Sequence, residues 1–63
     1  MLVYFTDAVT NESVAINPDY VSAVFVAIEG DHKGKTAINT LTGTLLVHQS
    51  QNEVVGVLNG ELK

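Results

Sequence analysis

At 63 residues, with no cysteine, no tryptophan, no arginine and a formal net charge of −4, the chain excludes more than it identifies. A chain of this length buries only about 60% of the surface its unfolded form exposes, which leaves no room for a second domain or a deep enzyme cleft. Without cysteine there is no disulfide framework or thiolate metal site, so packing within the chain or against a partner subunit must hold together what the 46% hydrophobic content builds.

Val, Ile and Thr recur throughout, and their stiff β-branched side chains favour pleated strands. From residue 2 to residue 9, Leu2, Tyr4, Thr6 and Ala8 alternate with Val3, Phe5, Asp7 and Val9, a strand pattern expected to be buried on much of both faces. Thr10-Asn11-Glu12-Ser13 supply a polar turn, and residues 13–17 return with Val14 and Ile16 on one face, so the two segments are expected to pair as a hairpin. Asn17-Pro18-Asp19 stops the second strand, because proline fixes φ and lacks a ladder donor, and a helical turn over Pro18 to Tyr20 fits there. The longest apolar run follows over residues 20–28. Its valines, Phe25 and Ile28, bounded by turn residues, favour a third strand over a helix.

Glu29-Gly30-Asp31-His32-Lys33-Gly34 is the most polar stretch and reads as an exposed loop, the first choice for a functional one. Residues 35–41 and 44–48 alternate as a hairpin about a two-residue turn at Thr42-Gly43. Ser50-Gln51-Asn52-Glu53 fits a capping box, starting a short helix over about 51–59 with Val54, Val55, Leu58 and Leu62 on one face and Gly60 at its end. The result is one β-rich domain over residues 1–63. Its expected class is mainly β (α+β): a five-stranded, strongly bent antiparallel sheet or small barrel with one short C-terminal helix.

The chemistry-bearing residues are few. Gly30 to Thr36 looks like a phosphate-binding loop, but that motif needs four residues between its glycines and a helix after it; here three residues precede a β-branched strand. A glycine-permitted hairpin loop is the favoured reading. His32 and His48 lie in different segments without ligand spacing, so no metal site and no cofactor is expected. No serine or threonine sits in a nucleophile elbow, and the chain is read as not an enzyme. Tyr4, Phe5, Tyr20 and Phe25 lack interleaved basic residues, so Phe5 and Phe25 are assigned to packing, with Tyr4 and Tyr20 as interface candidates. Asp31, His32, Lys33 and Lys35 make up the candidate partner-contact loop.

Lys33, Lys35 and Lys63 are the only cations against seven acids, which weighs against broad binding to nucleic acid or an anionic membrane. No apolar run approaches the ~20 residues of a membrane span, and the N-terminus has no basic region before a hydrophobic one, so a cytoplasmic protein is expected.

Val3-Tyr4-Phe5-Thr6, Val14-Ala15-Ile16-Asn17, Val21 to Val26, Thr42 to Val47 and Ser50 to Val55 follow one another in an order that resembles the small FlbD-type flagellar operon proteins. The five-strand pattern also resembles short phage-encoded Sm-like and SH3-like β-barrel proteins. The first resemblance implies a compact β unit followed by a short helix; the second implies a small barrel of a kind that often assembles into rings, in the host cytoplasm if phage-encoded. Ile38-Asn39 and Thr42-Gly43 carry none of the arginine of the Sm RNA-binding signature. Because the first and third strands are apolar on both faces, more surface is apolar than one sheet and one helix can cover, and a cyclic homo-oligomer is expected. The functional reading is therefore a non-catalytic, self-assembling structural or adaptor protein acting through protein contacts. The alternative is an Sm-like ring that binds short single-stranded RNA.

Overall fold

The computed structural model describes residues 1–60. Five strands and one helix follow in chain order: β1 (Val3–Thr6), β2 (Ser13–Ile16), a 3₁₀ turn (Pro18–Tyr20), β3 (Val21–Val26), β4 (Thr36–Thr40), β5 (Gly43–Val47) and α1 (Gln51–Leu58). The strands form two antiparallel sheets, one of order β1-β2 and one of order β3-β4-β5. A single bridge between Asp7 and Val47 ties them together, flanked by bonds from Ala8 N–H to Leu46 O (2.8 Å) and from His48 N–H to Thr6 O (2.9 Å). The fold is thus mainly β with one short helix. The two sheets do not close into a barrel among the described residues, and β2 and β3 are left as the outer strands.

Alternation decides the core. Phe5 and Ile16 from the first sheet meet Ile38 and Val47 from the second and Val54 from α1, with Val3, Val14, Val21, Val24, Leu45, Val57 and Leu58 packed around them. The register Val3↔Ile16 and Phe5↔Val14 puts the four apolar residues of the first hairpin on one face. The first strand is therefore not buried on both faces as its composition suggests: Phe5 is 2% exposed while its neighbour Tyr4 is 67% exposed. It is also shorter than residues 2–9. Asp7 ends it, because its Oδ1 accepts from Val9 N–H (2.7 Å) and Thr10 N–H (3.0 Å) and turns the chain, and Asn11 then takes a φ of 63°.

The β4–β5 hairpin differs from expectation by a register step. Thr40 pairs with Gly43, so the turn residues are Leu41 and Thr42 and not Thr42 and Gly43. Thr40 Oγ1 holds the turn by donating to Gly43 O (3.0 Å) and accepting from Thr42 N–H (3.3 Å). Threonine chemistry thus competes with the glycine signal and wins.

The capping box forms as expected, with Ser50 Oγ accepting from Glu53 N–H (3.2 Å) and Glu53 Oε1 accepting from Ser50 N–H (3.4 Å). The buried face of α1 is Val54 and Gly56, with Val57 and Leu58 beside it, whereas Val55 is left 41% exposed. Gly60 adopts φ +75° and donates to Val57 O, ending the helix. Leu62, expected on the helix face, lies outside the described residues. The helix is not long and apolar enough to cross a membrane.

Candidate functional site

The polar loop is built by its glycines. Gly30 and Gly34 take φ of +89° and +90°, conformations that cost a side-chain-bearing residue dearly, and Lys33 N–H donates to Gly30 O while Gly34 N–H returns to Ala27 O (2.8 Å). The chain then enters β4 directly, through bonds from Ala27 N–H to Lys35 O and from Lys35 N–H to His32 O. Asp31 and Lys33 are exposed, and His32 is half-buried. The loop displays these three side chains without drawing them into one cluster.

Lys35 stands apart from them. It lies one residue before β4, where the register carries it opposite His48, and its Nζ sits 3.3 Å from His48 Nδ1. On the far side of the ring, His48 Nε2 is 2.6 Å from Asn11 Oδ1. An ammonium can only donate, so Nδ1 is the acceptor and the ring proton resides on Nε2, where it is given to Asn11. This row of three side chains ties the β1–β2 turn to the second sheet. His48 and Asn11 were not among the expected contact residues. Among the described residues, no three His, Cys, Asp or Glu side chains gather into a group able to hold a metal.

The interface candidates Tyr4 and Tyr20 are both exposed, at 67% and 53%. Tyr4 pairs with Ala15 on the outward face of the first hairpin. Tyr20 borders an open groove of about 360 Å³ between β2 and the β4–β5 turn, with Val14, Ile16, Thr40 and Leu45 also lining it. These two tyrosines therefore mark separate places on the surface.

Exposed apolar residues also lie along β3 and just beyond it, where composition marked both faces as apolar without showing which residues stay uncovered. Phe25, Val26 and Ile28 are 46%, 40% and 80% exposed. Backbone direction can be followed residue by residue. Ala27 spends both its N–H and its C=O on the β4 side, and by the alternation of the ladder Val26, at the end of β3, turns its own to the open edge. Two residues upstream Val24 faces the same way, and there Gln51 Nε2 of α1 donates to Val24 O (3.2 Å). A shallow groove of about 290 Å³ lined by Val21, Ala23, Val24, Val55 and Leu58 lies between this upstream half of the strand and α1.

Compared with family models, with curated proteins and with solved structures, the chain matches none of them.

Proposed function

We propose that this chain is a non-catalytic structural or adaptor protein that works by self-association and by contacts with protein partners. The observation that carries this reading is β3: an outer strand of six residues without a charge or a proline, whose Phe25 and Val26 are exposed and which is followed by exposed Ile28. Soluble proteins blunt such strands with lysine, proline, bulges or a covering element. Here a bulge falls between Val21 and Ala23 and α1 shelters the upstream half, while the downstream half has neither. An uncovered apolar edge of this kind favours pairing with another chain. The open grooves beside β2 and β3 are shallow and lack converging charged groups, which suits docking better than catalysis.

Light scattering coupled to size-exclusion chromatography, run across micromolar concentrations, tests the reading. A mass above that of one chain, rising with concentration, is the expected result. A folded monomer throughout that range overturns it.

A further inference from the structure

Five asparagines stand at positions 11, 17, 39, 52 and 59, and only Asn59 is followed by glycine. That pair closes α1. Asn59, the C-cap residue with φ −85° and ψ −1°, donates its N–H to Val55 O (3.0 Å), and Gly60, at φ +75°, donates its own to Val57 O (3.0 Å). Both residues are exposed, and a Cβ placed on Gly60 would meet nothing within 4 Å.

We infer that Asn59-Gly60 is a site of self-modification, at which the asparagine is deamidated at a rate set by the opening of the last turn of α1. The chemistry needs only water. The Gly60 backbone nitrogen loses its proton and attacks Asn59 Cγ; a C–N bond forms there, the bond from Cγ to the side-chain nitrogen breaks, and that nitrogen leaves as ammonia, taking up a proton from solvent in place of the one Gly60 released. Water then opens the cyclic imide at one carbonyl or the other, which gives isoaspartate or aspartate. Glycine suits the attack because no Cβ crowds the nitrogen. The remaining asparagines are placed differently: Asn17 precedes Pro18, which has no N–H, and Asn11, Asn39 and Asn52 precede Glu12, Thr40 and Glu53, whose side chains stand beside the nitrogen.

The folded structure holds this reaction back. With ψ of Asn59 at −1° the following peptide continues the helical turn, and the nitrogen that must attack is committed to Val57 O. Ring closure requires that bond to break and the peptide to rotate out of the turn. Helix ends open locally far more readily than core strands do, and a helix of eight residues depends on its docking and on its cap at Ser50. The product acts on the same turn. Aspartate puts a negative charge among the free carbonyls at the C-terminal end of the helix, where the macrodipole disfavours it, and isoaspartate lengthens the backbone by a methylene and draws Gly60 away from Val57 O. Either change loosens the turn whose Val57 and Leu58 pack against the core. None of this depends on whether the chain self-associates.

Incubation of the purified chain at mildly alkaline pH, in buffer and in guanidinium chloride, followed by peptide mapping with mass spectrometry and by isoaspartyl methyltransferase labelling, tests the site. Conversion should centre on Asn59, run severalfold slower in buffer than in denaturant, and be up to about fivefold faster in Ser50→Ala than in the wild type in buffer, the weight of one lost cap. In denaturant the two proteins should react alike. Asn59→Gln should remove the conversion, and Asn59→Asp should melt at a lower temperature than Asn59→Gln by circular dichroism. An Asn59 that stays intact in buffer overturns the site, whatever happens in denaturant. Equal rates in buffer and denaturant overturn the control by α1, and equal melting of the two Asn59 variants overturns the effect on the helix.

Discussion

Lys35 and His48 meet across the β4–β5 ladder, with the lysine nitrogen 3.3 Å from the near ring nitrogen and Asn11 closing the far side at 2.6 Å. The contact ties the tip of the first hairpin to the second sheet through side chains alone. Replacing Asn11 separates two roles. Asn11→Gly keeps the positive φ and loses the bond to His48, so it should cost about 0.5–1.5 kcal/mol, the ordinary net worth of a hydrogen bond. Asn11→Ala loses both, and the left-handed conformation adds roughly 1 kcal/mol more. Urea denaturation of the two variants checks the order; equal losses would show that backbone conformation contributes nothing there.

The capping box at the start of α1 should act as a unit. Ser50→Ala is expected to lower stability by about 1 kcal/mol, and Glu53→Ala by less. The double variant should lose less than the sum, since each side chain satisfies a donor belonging to the other residue. Hydrogen exchange of the Glu53 amide should rise in Ser50→Ala, and that of the Ser50 amide in Glu53→Ala.

Ile38 is fully buried at the centre of the core. Trimming it to valine should cost about 1 kcal/mol and to alanine about 2–5 kcal/mol. A chain of this length has roughly 3–9 kcal/mol of stability to lose, so Ile38→Ala should remove about half of it and lower the thermal midpoint by circular dichroism sharply at low concentration. If the chain self-associates as proposed, raising the protein concentration should raise that midpoint by mass action.

Short single-stranded RNA should not bind measurably in a fluorescence titration, even at low salt. Lys35 is engaged with His48, and Lys33 stands in a loop beside Asp31 and Glu29, a local balance that offers no phosphate track. Affinity that falls steeply with added salt would revive the ring reading.

Most of the architecture could be read from the residues because alternation and capping are local signals. Val14 and Ile16 announce one face of β2, Pro18 announces the break before β3, and Ser50 with Glu53 announces the helix. What escaped depended on competition or on distance. Asp7 interrupts the first strand because its carboxylate prefers the amides two and three residues on. The hairpin turn falls at Leu41-Thr42 because Thr40 bonds across it, and that step decides whether Lys35 faces His48 or a residue further along. With the turn at Thr42-Gly43, the pairing would place Lys35 opposite Ser50, and the row to Asn11 would not be seen. Val55 is a similar case: its spacing suits the buried helical face, but the helix is rotated so that Val54 and Val57 face the core. The exposure of Phe25 and Val26 was invisible in composition because it depends on where α1 docks.

The isolated bridge between Asp7 and Val47 has a bearing on how the chain reaches this structure. The β1–β2 hairpin and the β3–β4–β5 meander each join strands adjacent in sequence, so each closes only short loops. The joins between the two sheets, at Asp7 with Val47 and at Thr6 with Gln49, span some forty residues, 43 for the latter pair. Folding should therefore proceed through two quickly formed pieces whose docking sets the overall rate. Substitutions at Gln49 should slow folding more than equally destabilising ones inside either turn.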